Sequence, residues 1–244
     1  MALAGVAAAD SITPITSGDF TVGRGRQQGN LITQNKEADT LTLAASNWNQ
    51  AYAHFTLSEA ITLSAETDTI SISYDIAANN TNTLVTGAII GSGKAIVAGH
   101  GQYSGTPQGV QYGITDNVAG NWYNLQGADT GGVYVAGTNV PGIFSTTAPL
   151  TLNTDIAWDA DKAQFVATLS YGDNKTFMTS YDLGTTYSLE KFVFSMDGPN
   201  DQNAVISISG LNVTYSVAPS IPEPTTATLS LLALACLAAR RRRK

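Results

Sequence analysis

The stretch Thr69-Ile70-Ser71-Ile72-Ser73-Tyr74-Asp75-Ile76 decides the fold class, because a large apolar residue occupies every second position. In an extended chain, successive side chains point to opposite faces. The apolar residues therefore share one face, and Ser71, Ser73 and Asp75 share the other. One buried and one solvated face is typical of a strand in an antiparallel sheet. The stretch predicts a half-buried β-strand.

The same two-residue period returns along most of the chain. Further alternating rows are Phe165–Tyr171, Phe192–Met196, Ile206–Ile208 and Leu211–Val217. The sequences Gly172-Asp173-Asn174-Lys175 and Trp158-Asp159-Ala160-Asp161-Lys162 each predict a hairpin turn. Between Gly87 and Gly142 glycine is dense, which predicts strands with long loops. We expect about a dozen strands in an all-β, antiparallel two-sheet sandwich.

Charge and cysteine content narrow the possible partners. The chain has 12 basic and 19 acidic residues. Without the five cations at 240–244 and without Glu223, 7 basic residues face 18 acidic ones, a net charge of −11. Such a surface repels nucleic acid and anionic lipid. Cys236 is the only cysteine, so the domain has no disulfide and must rest on its core.

Residues 221–244 combine three features. Pro222-Glu223-Pro224 predicts an extended spacer, and the Leu/Ala-rich run 225–239 predicts an apolar helix of about 22 Å, a short membrane span. The ending Arg240-Arg241-Arg242-Arg243-Lys244 should stay in the cytoplasm, which places the preceding chain outside. A buried core helix is the alternative, but this run lacks the polar face that such a helix presents.

The three features together resemble the PEP-CTERM sorting signal of Gram-negative bacteria. The resemblance implies transient inner-membrane anchoring through 225–239 and recognition by an exosortase, a membrane protease that cuts near the Pro-Glu-Pro sequence. It also implies delivery to the cell surface, the outer envelope or the extracellular matrix. The Ala- and Arg-rich ending further resembles such tails in Verrucomicrobia, including Akkermansia-like gut bacteria.

The N-terminus supports export. Residues 1–9 are small and apolar and close on an Ala-x-Ala site before Asp10, like the end of a signal peptide whose earlier part is missing. An ordinary frayed terminus is the alternative. We expect a signal-peptide remnant over 1–9, a β-sandwich domain over 10–217 and a sorting tail over 218–244.

The strand series resembles concanavalin A-like, laminin-G-type jelly rolls. The resemblance rests on Phe55-Thr56-Leu57 through Ile76 and on Ala157 through the closing row Gly210–Tyr215, and it covers residues 40–217. It makes a laminarinase-type glucanase worth testing, because that family carries Glu-x-Asp-x-x-Glu with a nucleophile and an acid/base. Here Glu66-Thr67-Asp68-Thr69-Ile70-Ser71 has serine in place of the second glutamate and looks like a solvated turn. We expect no glycosidase.

The sequence Asn121-Trp122-Tyr123-Asn124 is the candidate ligand site. Sugar rings stack on aromatic faces while amides bond their hydroxyls. Tyr103 and His100 lie upstream and could join such a site. A core position for Trp122 is the alternative, and we interpret Trp48 and Trp158 as core residues.

No motif requires a cofactor. His54 and His100 are the only histidines, and no Gly-x-Ser-x-Gly sequence presents a nucleophile to them. We interpret His54 as a strand-face residue and place His100 in a glycine loop. Asp197 and Asp201 are candidate calcium ligands, although ordinary turn aspartates explain them more simply, as they do at Asp159.

These features together predict an exported surface or matrix protein that is not an enzyme. We expect a glycan-binding or adhesion module with a polysaccharide and an exosortase as partners. A purely structural envelope or biofilm protein is the alternative, followed by a glycoside hydrolase with an atypical site.

Overall fold

The structure, a computed structural model, describes residues 9–24, 31–46, 50–78, 84–91, 95–101, 109–115, 140–141, 149–172, 177–197 and 203–218. Within these ranges the chain forms fifteen β-strands and one single-turn helix, α1 (Pro14–Ser17). No helix of these ranges is long and apolar enough to cross a membrane. The tail helix expected over 225–239 and the residues 1–8 lie outside them.

The strands, numbered in chain order, form two sheets. One contains β1 (Asp10–Ile12), β3 (Leu31–Asn35), β4 (Thr40–Ser46), β6 (Thr69–Ala78), β11 (Leu150–Asp159), β12 (Gln164–Tyr171), β13 (Phe177–Gly184) and β15 (Asn203–Ser216). The other contains β2 (Thr21–Arg24), β5 (Gln50–Leu63), β7 (Leu84–Gly91), β8 (Ala95–Gly101), β9 (Gly109–Thr115), β10 (Val140–Pro141) and β14 (Tyr187–Asp197).

Strand order and direction confirm the antiparallel sandwich. The eight-stranded sheet runs β13-β12-β11-β6-β15-β4-β3, with β1 paired to β15. The seven-stranded sheet runs β10-β9-β8-β7-β14-β5-β2. Every pairing between described strands is antiparallel.

The sheets pack through the apolar rows that the sequence predicts. In β6, Ile70 and Ile76 are fully buried and Tyr74 is nearly so. The Tyr74 ring meets Phe194 of the facing sheet edge-on, with ring centroids 5.3 Å apart. Each fully buried Ile or Phe contributes about 1.5–3 kcal/mol relative to exposure, so these rows hold the sheets together.

A bulge keeps both halves of the long strand β15 facing the core. Ile208 and Leu211 are both buried although they are three positions apart, so the alternation needs an extra residue between them. Gly210 supplies that residue with a φ of 61°, and the pairing with β6 shifts there. The Gly210 N–H donates to Asp39 at 3.0 Å. Glycine adopts this φ without a steric penalty.

The connection from β1 to β2 is fixed by one amide side chain. Gln34 donates from Nε2 to the carbonyls of Ile15 and Gly18, each at 2.8 Å, and accepts the Phe20 N–H at 3.0 Å. Gly18 also lies against Phe55, so that an added Cβ would be 1.8 Å from the ring. The segment between β1 and β2, which crosses from one sheet to the other, is therefore held by hydrogen bonds and by close packing.

Candidate functional site

The two ends of the sandwich carry different connections. At one end, which we call the turn pole, strands are joined by short turns at 64–68, 160–163 and 185–186. At the opposite end, which we call the amide pole, strands are joined through seven segments of three to seven residues. These segments are residues 25–30, 47–49, 79–83, 102–108, 142–148, 173–176 and 198–202.

The register of the seven-stranded sheet gathers strand ends at the amide pole. Asp197, the last residue of β14, pairs with Gln50 and Leu84, the first residues of β5 and β7. Next to them, Gly101 at the end of β8 pairs with Gly109 at the start of β9. Five neighbouring strands therefore begin or end at one edge of the molecule.

The eight-stranded sheet ends at the same place. Asn203 pairs with Ser46, and Tyr171 pairs with Phe177. Three of the connections cross between the sheets and contain five residues or fewer, so the two sets of strand ends lie close together. These connections are residues 47–49, 79–83 and 198–202.

The amide-pole segments have a distinctive composition. Their 37 residues include 13 of the chain's 26 asparagines and glutamines, whereas the segments 64–68, 160–163 and 185–186 include none. Examples are Asn79-Asn80-Thr81-Asn82-Thr83 and Asn47-Trp48-Asn49. The segments lie outside the described residues, and the described strand ends fix where each one departs.

The predicted ligand residues divide between two positions in the topology. Tyr103 and Asp201 lie outside the described residues, on the β8–β9 and β14–β15 connections of the amide pole. The quartet from Asn121 to Asn124 also lies outside them, between β9 and β10. That connection leaves the sheet at Thr115 on the turn-pole side and rejoins it at Val140, opposite Val110. The topology therefore places the connections that carry Tyr103 and Asp201 at one pole, but it does not fix the pole of the connection that carries the quartet.

His100 and Asp197 have described backbones, and both lie at amide-pole strand ends. The expected glycine loop around His100 is wrong, because the residue belongs to β8 and pairs with Val85 and Val110. Glycine is depleted in strands, which is why its glycine neighbours indicated a loop.

His54 lies in β5, as the strand-face interpretation expects, between Thr21 of β2 and Val193 of β14. Its Nδ1 is buried, and no atom of the described chain pairs with it. Burial and then the charge of Lys191 lower the pKa of His54 below its usual value of 6.5, so the neutral form of the ring predominates at pH 7. A Ser-His-Asp triad needs an acid on the second ring nitrogen, and the described residues supply none at this atom.

Asp68 is buried, so the interpretation of its sequence as a solvated turn is wrong at this residue. Asp68 is only 2% exposed to solvent. It accepts the N–H groups of Ser64 at 2.8 Å, Ala65 at 2.7 Å and Ala218 at 2.7 Å. Burial alone raises the pKa of Asp68, but these three hydrogen bonds outweigh it and hold the pKa below its usual value. Both carboxylate oxygens are occupied by the fold rather than offered to a substrate.

The described residues contain no group of three or more His, Cys, Asp or Glu side chains placed to hold a metal ion. Asp159 accepts the N–H groups of Asp161 at 3.0 Å and Lys162 at 3.1 Å, which is the turn role that short acids commonly have. The pair Asp197 and Asp201 stays a prediction, because Asp201 lies outside the described ranges.

Among solved structures, the sandwich is similar to two lectin-type domains. The basic winged bean lectin in complex with Tn-antigen has a TM-score of 0.50 and 9% identity, over 86% of this chain and 98% of that one. The carbohydrate recognition domain of Emp46p in its metal-free form has a TM-score of 0.50 and 9% identity, over 84% and 92%. The similarity establishes a concanavalin A-type β-sandwich. No model of a known protein family and no curated protein matches the chain.

The sequence around Trp48 carries a signal that points to the amide pole. Trp48 stands directly between two asparagines, and the pair Trp122-Tyr123 is flanked by asparagines as well, so the pattern of the predicted ligand site occurs twice in the chain. The strand ends Ser46 and Gln50 place Trp48 on an amide-pole connection. An aromatic ring beside amides at such a position can stack on a sugar and bond its hydroxyls.

Proposed function

We propose that this protein is an exported, non-catalytic module that binds a glycan at its amide pole. The observation that carries the proposal is the segregation of connections between the two poles. Of the seven segments that depart from the amide pole, six contain asparagine or glutamine, while the described turns at the turn pole contain neither. The connection 116–139, which leaves the sheet on the turn-pole side, carries amides as well.

The chemistry of these segments suits a polyhydroxylated ligand. Each asparagine or glutamine amide both donates and accepts hydrogen bonds, as each sugar hydroxyl does. Trp48 and Tyr103 add rings on which a sugar face can stack. One protein of similar fold is a lectin in complex with Tn-antigen, and another is a carbohydrate recognition domain, which supports a glycan over other ligands.

The proposed address rests on the tail. Pro222-Glu223-Pro224, the apolar run 225–239 and the terminal arginines support exosortase processing and a final place on the cell surface or in the matrix. A tail deletion tests this: with residues 221–244 removed, the protein should no longer reach the surface fraction. An unchanged surface fraction would contradict the address while leaving the glycan proposal intact.

A glycan array with residues 10–220 tests the binding proposal, since this piece contains every described strand. We expect a defined set of glycans to bind. Tyr103→Ala should weaken binding about tenfold, because an aromatic contact of this kind is worth about 0.5–1.5 kcal/mol beyond its buried area. Gln164→Ala is the matched control, since it removes an amide at the turn pole and should leave binding unchanged.

The array also separates the remaining possibilities. Silence across the array would favour a purely structural envelope protein. Trp122→Ala decides the role of the predicted quartet: lost binding with an unchanged unfolding temperature assigns it to the ligand site, and a lowered unfolding temperature assigns Trp122 to the core.

A further inference from the structure

One carboxylate ties the end of the sandwich to a turn far away in sequence. Asp68 accepts two hydrogen bonds at Oδ2 from its own turn, from Ser64 and Ala65, and one at Oδ1 from Ala218. Charged acceptors form the stronger hydrogen bonds, and this one is nearly excluded from water. The contact therefore joins the β5–β6 turn to the last described residue of the chain.

The exit of the chain lies at the turn pole. Ser216, the last residue of β15, pairs with Thr69, the first residue of β6. Ala218 lies two residues beyond Ser216, and its hydrogen bond to Asp68, the residue before Thr69, keeps the chain running in the same direction. The first strand starts beside it, with Asp10 opposite Tyr215. Both described ends of the chain therefore leave from the pole opposite the amide-rich connections.

The residues after Ala218 favour a stiff, extended spacer. Pro219 follows Ala218 directly, and a residue before proline is restricted to extended conformations. Residues 219–224 contain three prolines, and an extended spacer of this length spans about 19 Å. The bond at Ala218 fixes the point from which this spacer departs.

We propose that Asp68 is a positioning residue that fixes the chain's exit at the turn pole, so that a protein held by its C-terminal tail presents the amide pole away from its support. The exit itself follows from contacts of the described residues. Its use for presentation rests on the glycan-binding function proposed above.

Distance measurements between spin labels test the exit directly on the full chain. In a Cys236→Ser background, Ser220→Cys is paired with Asp161→Cys at the turn pole or with Asn174→Cys on the β12–β13 connection. Strand spacing and rise predict about 20 Å for the first pair and about 35 Å for the second, each with a narrow distribution. A Ser220 label closer to position 174 than to 161 would overturn the proposal.

Two carboxylate variants separate positioning from general stability. Asp68→Ala should at least double the width of the Ser220–Asp161 distance distribution. Asp39→Ala is the matched control, because it removes another carboxylate that accepts a backbone N–H, at Gly210, far from the exit. A width that stays unchanged in Asp68→Ala, or that grows equally in both variants, would contradict a positioning role for Asp68.

Hydrogen exchange of the unmodified protein provides a test that needs no variant to fold. The Ala218 amide should exchange at least a hundredfold more slowly than in a free peptide of the same sequence. Exchange at the free-peptide rate would show that Asp68 does not hold the exit in solution.

Attachment geometry tests the presentation step. The full chain is fixed to a surface through biotin on Cys236, its only thiol, or through Asn174→Cys in the Cys236→Ser background, and gastric mucin serves as the glycosylated probe. We expect at least fivefold more mucin on the first surface. Equal binding on both would refute presentation. Binding on neither counts against the proposed glycan function, and the distances then decide the exit alone.

Discussion

Replacing Asp68 by alanine leaves three backbone N–H groups without their acceptor, and the loss of stability can be worked from the structure. The carboxylate makes hydrogen bonds of 2.7–2.8 Å to Ser64, Ala65 and Ala218 in a residue that is 2% exposed. A hydrogen bond to a charged group contributes about 1.5–3 kcal/mol. Because the freed amides of a turn regain water on relaxation, we expect a loss of about 3 kcal/mol in total.

Thermal and urea unfolding measure this loss. For a domain of this size, about 3 kcal/mol corresponds to a fall of roughly 6–12 °C in Tm. Asp68→Asn keeps one acceptor oxygen and should lose about half as much. Gln164→Ala changes an amide outside this contact and should stay within about 0.5 kcal/mol of the parent protein.

The pH dependence has a defined sign. The folded pKa of Asp68 lies below its unfolded value of 3.8, so its stabilisation is fully present above that unfolded pKa. The stabilisation is lost as pH falls through the folded pKa. The difference in unfolding free energy between the parent protein and Asp68→Ala should therefore be constant from pH 5 to 7 and shrink below about pH 4. A difference below 1 kcal/mol at pH 7, or one that grows in acid, would refute the reasoning.

Three further results are expected. Gly18→Ala should cost about 1–3 kcal/mol in urea unfolding, because its Cβ would overlap the Phe55 ring; an unchanged midpoint would contradict the close packing. Gln34→Ala should cost about 2 kcal/mol through three lost hydrogen bonds, and protease cleavage between β1 and β2 should rise with it. NMR titration should place the pKa of His54 below 6.5, and Lys191→Met should raise it; since the unfolded chain binds that proton more readily, this group destabilises the protein as pH falls below 6.5.

Local patterns were enough to predict the sandwich. The alternation around Ile70 and Tyr74 predicts β6 and its buried face, and the turn at Asp159 predicts the β11–β12 hairpin. Even the bulge in β15 was present in the sequence, because buried Ile208 and Leu211 lie three positions apart with Gly210 between them. Alternation and turn chemistry are local properties, so a single sequence displays them.

Contacts between residues far apart in the chain could not be predicted from the sequence. Asp68 and Ala218 are 150 positions apart, and nothing local marks Asp68 as buried. The grouping of amide-rich segments at one pole depends on the direction of every strand, which only the full topology supplies. At His100 the local pattern was misleading. Its glycine neighbours predict a loop, but pairing with β7 and β9 makes this segment a strand.

Hydrogen-exchange footprinting with the strongest glycan from the array tests the central claim most directly. We expect bound glycan to slow exchange in the amide-pole segments 79–83, 102–108 and 198–202, and to leave the turns at 64–68 and 160–163 unchanged. Protection confined to those turns, or spread evenly over both poles, would contradict a binding site at the amide pole.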